Sequence, residues 1–312
     1  MSAGTAHLLP RRPGERSPGA SNRTPPCGAV ARFALHRVDP SNVGDIASAP
    51  ALWVPELSGS DHIDLLDGTL ARLDARAAEG PTLAVVGGGG LFGNTWFAAS
   101  LKALAEMRRR RPNLRVVVWG AGWNTHFGRT READPVLLKV ADLVGVRDRR
   151  SDWPWVPCAS VLHPAFADPP PPAVPLVCFT HKRAQILAAQ AADAGVPARS
   201  NAGPDVGGAI AHLASGETVV TDTYHGAYWA TLLGRKVAIT GAFSTKFSAL
   251  LWPVPIVDGT DLAGAARAAE AFPDAYSEAL AATRAFSAAV VQLEVDSAIY
   301  RASPYTIVAG DV

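Results

Sequence analysis

The 312-residue sequence predicts a two-lobed α/β protein built on parallel sheets. Short apolar runs alternate with helix-length amphipathic stretches, a proline-rich break interrupts that alternation near the middle, and the same alternation then restarts. Strand, helix, strand repeats imply parallel pairing with helical crossovers. A hydrophobic fraction of 48% supplies two cores of ordinary size and excludes a disordered chain.

Residues 1–28 are rich in Pro, Gly, Ser and Arg without periodicity and are expected to be a disordered tail. The first strand is expected over Ala29–Val38, where Val30, Phe33, Leu35 and Val38 precede the turn residues Asp39, Pro40 and Ser41. Leu83–Val86 is a second apolar run, followed by glycines and by a helix over about 95–110 with Phe97, Leu101 and Leu104 on one face. Arg108–Arg111 at its end favour the helix dipole, with a polyanion site as the alternative. Leu114–Trp119 and, after a helical segment, Leu143–Val146 continue the first lobe, taken as 29–168. Pro169, Pro170, Pro171, Pro172 and Pro175 mark a linker over 169–175, because proline continues neither a helix nor a central strand. The second lobe, 176–312, is expected to contain strands Leu176–Phe179, Thr218–Thr221 and Val237–Thr240, with helices over Lys182–Ala194 and after His225. Alanine-rich stretches after Leu262 and over Ser277–Val295 read as closing helices that return across the first lobe.

Charge and cysteine content narrow the function. Lys plus Arg total 29 against 28 Asp plus Glu, so no broad field for nucleic acid exists. Cys27, Cys158 and Cys178 are too few and too scattered for a disulfide framework or a zinc site. A reducing compartment is expected, hence the cytoplasm. No run approaches the ~18 apolar residues of a membrane-spanning helix, so any membrane contact is expected to be peripheral.

The candidate chemistry lies where strands open into loops. Gly87–Gly90 follow the Val85-Val86 strand end, and a backbone without side chains lets a ligand approach free N–H groups. Tight packing is the alternative. The G-x-G-x-x-G spacing and the P-loop Lys-Ser/Thr pair are missing. Gly120-Ala121-Gly122-Trp123-Asn124 opens a second loop at the same edge, where open α/β sheets bind ligands. Asn42 and Asp45 follow the first strand and serve either sugar hydroxyls or a helix cap. Arg147 suits a phosphate or carboxylate, and Asp148 suits orienting it. His225, in Thr223-Tyr224-His225-Gly226, sits near a helix start, where a histidine can exchange a proton near neutrality, with a capping or packing ring as the alternative. Neither H-E-x-x-H nor G-x-S-x-G spacing occurs, so no metal and no hydrolase triad are expected.

Taken in order, Asn42-Val43-Gly44-Asp45, Gly87–Gly90, Gly120-Ala121-Gly122, Arg147-Asp148 with Ser151, and Tyr224-His225-Gly226 with Leu232-Leu233-Gly234 resemble the polysaccharide pyruvyl transferase family over roughly residues 36–240. The resemblance implies two Rossmann-like lobes facing a central cleft, similar to GT-B glycosyltransferases. It also implies transfer of a pyruvyl group from phosphoenolpyruvate, as donor substrate without a cofactor, to a sugar hydroxyl of an exopolysaccharide or of a lipid-linked or nucleotide-linked cell-wall precursor. His225 is then the proton-transfer group and Arg147 the anion clamp. Asn42, Asp45, Gly88, Gly89, Gly90, Asn124, Thr223, Tyr224 and Lys246 are the substrate-binding candidates. The sequence departs from the family where Thr223 replaces an arginine two residues before the histidine, and Lys246 or Arg235 is the expected substitute for its charge. A nucleotide-sugar glycosyltransferase and a non-catalytic sugar-binding protein of the same fold are the competing expectations.

Overall fold

The computed structural model describes residues 30–302 apart from 68, 127–134, 150 and 260, and gives no side-chain environment for 294–302. The tail expected over 1–28, Cys27 and Arg150 lie outside the described residues.

Two five-stranded, wholly parallel sheets carry the fold. In chain order the elements of the first half are β1 (Ala31–His36), α1 (Val43–Ala47), β2 (Asp61–Asp64), α2 (Ala71–Glu79), β3 (Thr82–Gly87), α3 (Thr95–Arg110), β4 (Leu114–Ala121) and β5 (Leu143–Val146). The second half holds β6 (Val174–Thr180), α4 (Ile186–Asp193), β7 (Ala198–Ser200), α5 (Val206–Ser215), β8 (Gly216–Thr221), α6 (Tyr224–Leu232), β9 (Lys236–Thr240), β10 (Ile256–Val257), α7 (Leu262–Ala268) and α8 (Ala275–Ala302). The first sheet runs β2-β1-β3-β4-β5 and the second β10-β9-β8-β6-β7. Read from its own first strand, each has the doubly wound order 2-1-3-4-5, so each has one switch point, at β1/β3 and at β6/β8.

Central strands are apolar throughout because both faces are covered. In the first sheet Phe33, Leu35, Val86 and Val118 pack with Leu73 of α2 and Leu101 and Leu104 of α3. The residues of opposite parity, Leu83, Val85, Val117 and Trp119, face Val54, Leu57 and the distal half of α8 through Val290 and Phe286. In the second sheet Phe179, Val219 and Ile239 pack with α5 and α6, while Cys178, Val220 and Ala238 face α4 and α7. Val43 and Ala47 of α1 join the second-sheet core although they follow β1, and α8 begins in that core at Ala275 and Ala279 before crossing to the first sheet.

The structure corrects several expected elements. Pro175 lies inside β6, not in a linker. It is tolerated because β7 pairs with β6 only from Cys178 onward, so at residue 175 no ladder donor is needed on that side. The helix expected from Lys182 starts at Ile186, because the backbone N–H groups of His181 and Lys182 donate to the side chains of Asp222 at 2.5 Å and Asn201 at 2.7 Å. Between β4 and β5 the described residues hold only a single 3₁₀ turn, Val136–Lys139. Arg108 pairs with Asp142 through two bonds of 2.8 and 2.7 Å, and Arg111 with Asp74 at 2.8 Å, so these two cations anchor the end of α3.

Candidate functional site

Parallel strands deliver every following loop to one edge of a sheet, and here the loops of both sheets meet around one cavity of about 340 Å³. From the first sheet come Asn42 and Asp45 after β1, Gly89 and Gly90 after β3, Asn124 after β4 and Arg147 after β5. From the second come Lys182 after β6, Asn201 after β7, Thr223, Tyr224 and His225 after β8, and Lys246 after β9. Two bridged stitches help to fix the loops to each other. At one, Asn42 bridges Ala202, Val43 N donates to Asn201 O at 3.0 Å, and Lys182 Nζ pairs with Asp39 at 3.0 Å. At the other, His126 bridges Ser244 and Thr245 N donates to Thr125 O at 3.0 Å.

Arg147 is only 4% exposed, its guanidinium lies 3.8 Å from the centroid of the Tyr224 ring, and its Nε has no hydrogen-bond partner. The ammonium of Lys246 rests over the Phe243 and Phe247 rings at 4.4 and 5.0 Å. Burial, reinforced by the nearby Arg147 charge, brings the Lys246 pKa down to about 8, against the pull of Asp45 and Asp222. The His225 ring sits against Gly44, where a Cβ would overlap Nδ1, and its Nε2 is 3.7 Å from Cys158 Sγ. Burial and then the charges of Arg147 and Lys246 hold His225 well below the ordinary histidine range, so its ring is neutral at pH 7. Asp45 is pushed up to about 6, chiefly by burial and secondarily by Asp39. Its carboxylate accepts from Asn42 Nδ2 at 2.9 Å.

The other sequence candidates divide. Gly89 (φ +81°) and Gly90 line the cavity, and Gly90 is glycine because a Cβ would meet Asn124 Cβ at 2.6 Å. Gly88 does not line it: its φ of +54° turns it onto the Ser48 backbone, which leaves no room for a side chain, so its role is close packing. Asn42 is the N-cap of α1, accepting from Gly44 N at 3.1 Å. Thr223 caps α6 by accepting from Gly226 N at 2.9 Å, and its hydroxyl lies 3.0 Å from Thr221 Oγ1, which itself donates to Phe179 O. The Thr223 hydroxyl therefore has its proton and an acceptor lone pair engaged and holds the helix start in place. Arg235 is at the opposite, amino-terminal end of β9, bonded to Ala214 O at 2.9 Å, and takes no part in the cavity. Asp148 accepts from Trp123 N at 3.1 Å and braces the loop after β4.

Arg37, Asp39, His181, Lys182 and Asn201 also line the cavity and were not singled out from the sequence. Each lies within a few residues of a strand end, a position that is visible in sequence only once the strand is placed. Among the described residues no group of three or more His, Cys, Asp or Glu is arranged to hold a metal, and no helix is long and apolar enough to cross a membrane.

No family model matches the chain, and no curated protein matches it. Three chains of solved structures do. One is a crystal structure of a functionally uncharacterised protein from Klebsiella pneumoniae subsp. pneumoniae, 14% identical, with a TM-score of 0.38 over 67% of this chain and 83% of that one. The chemistry of the site rests on the residues of this chain alone.

Proposed function

We propose that this protein moves a pyruvyl group from phosphoenolpyruvate to a sugar hydroxyl during synthesis of an exopolysaccharide or cell-wall polysaccharide, with its two sheets acting as the facing lobes of a GT-B-like enzyme. The observation that carries this reading is the pairing of Arg147, buried with an unpartnered Nε, with a Lys246 that burial and then that neighbour's charge depress. Two cations that repel one another in a half-closed cavity call for a compact anion of more than one charge. Phosphoenolpyruvate brings a carboxylate and a phosphate on three carbons.

In this reading the donor's negative charge offsets the Arg147 and Lys246 charges that, after burial, keep His225 neutral, the ring takes a proton from solvent, and it protonates the methylene carbon of the donor. The sugar oxygen then bonds to the adjacent carbon while its proton passes to Asp45, a carboxylate poised near neutrality. A second hydroxyl of the same sugar attacks as the carbon–oxygen bond to phosphate breaks, closing a cyclic ketal, and the departing phosphate carries off the remaining proton.

The deciding experiment titrates phosphoenolpyruvate and free nucleoside diphosphates calorimetrically into one preparation, then measures phosphate release with a panel of sugar acceptors. Phosphoenolpyruvate binding with acceptor-dependent phosphate release is expected. Binding of the nucleotide alone would overturn the proposal in favour of a nucleotide-sugar glycosyltransferase, and binding of neither would favour a non-catalytic sugar-binding protein.

A further inference from the structure

Behind His225 runs a chain of hydrogen bonds whose first two links have a set direction. The indole Nε1–H of Trp229 donates to Ser160 Oγ at 3.0 Å, and an indole nitrogen has no acceptor role. The Ser160 hydroxyl thus accepts from Trp229 and sends its own proton to Cys158 Sγ, 3.2 Å away. A sulfur that already accepts has one hydrogen left to place, and His225 Nε2 lies 3.7 Å from it. Trp229, Ser160 and Cys158 are all 0% exposed, so water offers the thiol no substitute partner. In the opposite tautomer Nε2–H would point at the same sulfur, and the thiol hydrogen would need another acceptor inside the core. The second ring nitrogen, Nδ1, is turned to Gly44, which sits between the cavity-lining Asn42 and Asp45.

We infer that Cys158 is a positioning residue that fixes neutral His225 as its Nδ1–H tautomer, so that the nitrogen turned to Gly44 carries a donor N–H and not a lone pair. The inference rests on the hydrogen-bond chain and stands whatever anion the cavity takes. Burial also raises the Cys158 thiol above its ordinary range, which keeps the hydrogen on sulfur.

The test is long-range ¹⁵N–¹H correlation of the full-length protein with ¹⁵N-labelled histidine at pH 7.5, the His225 signals being those lost from the spectrum of His225→Gln. In the wild type, a protonated Nδ1 and an unprotonated Nε2 are expected. Cys158→Ser should keep that pattern because a hydroxyl donates in the same place, whereas Cys158→Ala should shift it toward Nε2–H. A wild-type spectrum with the proton on Nε2 would overturn the assignment, and this result needs no variant to fold. An unchanged tautomer in Cys158→Ala would equally remove Cys158 as the positioning group.

Discussion

Lys246 gives the site its pH signature. An anion binds the ammonium form, and because that form has a pKa of about 8 in the free protein, affinity for phosphoenolpyruvate should be full below pH 7 and fall as pH rises through 8. A single linked proton sets the limiting slope at about tenfold per pH unit. Calorimetry from pH 7 to 9.5 measures it. Lys246→Arg should bind without the fall, and Lys246→Ala should bind weakly at every pH. A wild-type affinity flat across that range would place Lys246 outside the clamp. Arg147 and His225 should separate in kinetics. Under the proposed function Arg147 acts on the bound anion, so Arg147→Ala should raise KM. His225 is there the proposed proton-transfer group, so His225→Gln should lower kcat by about 10² to 10⁴ with donor affinity largely kept. Equal effects of both variants on kcat and KM would contradict the division of roles. Arg147 and His225 were legible in the sequence because each follows an apolar strand by a few residues, and Lys246 only as a substitute for the charge missing at Thr223 in the family resemblance. Lys182, Asn201 and Cys158 were not: their importance comes from the Asp39, Asn42 and His225 contacts, which are made across 143, 159 and 67 residues of chain.

At the level of elements, the α6 start shows how a helix boundary decides what a residue can do. Thr223 was expected to contribute a hydroxyl to the ligand, but an N-cap must accept from the first free N–H groups of its helix, and Thr223 does so from Gly226. Thr223→Ala should cost about 1 kcal/mol of stability and Thr223→Ser little, by thermal melting. Thr223→Arg should destabilise more than either, since a guanidinium replaces the cap at a position only 5% exposed. An arginine variant as stable as wild type would mean that the cap is dispensable and that the position faces free space. The same boundary logic explains what the sequence withheld. The central strands β3, β4, β8 and β9 and helix α3 stand out because burial on two faces, or on one helical face, leaves a dense apolar pattern. The edge strands β2 (Asp61–Asp64) and β7 (Ala198–Ser200) carry charged residues and few apolar ones, so only pairing with β1 and β6 reveals them.

For the whole molecule, the cavity exists only while two sheets hold a fixed relation, and α8 spans both cores, as the 3₁₀ turn Ala159–Leu162 does through Ala159 and Val161. Its Ala275 and Ala279 pack with the second sheet, whereas the Phe286 ring meets Trp119 edge-on at 5.1 Å and Val290 is 2% exposed against the first sheet. Removing residues 284–312 would bare the face formed by Leu83, Val85, Val117 and Trp119, all of them at most 3% exposed. Losing the Phe286, Val290 and Leu293 side chains, two of them only partly buried, costs on the order of 5 kcal/mol in apolar burial. Whole domains are stable by only about 5–15 kcal/mol, so the first sheet should be left near its limit while the second keeps its own core. Calorimetry of the truncated chain should therefore show two separated transitions, with donor affinity lost across the lower one because half of the cavity wall melts with it. Val290→Ala, a milder change, should keep one transition and lose about 1–2 kcal/mol. A single, merely lowered transition after truncation would show that the Asn42–Ala202 and His126–Ser244 stitches, with the Arg149–Ala249 bond and the Ala159–Leu162 turn, suffice to couple the halves, and α8 would then be a cover for the first sheet and not the brace that aligns the two.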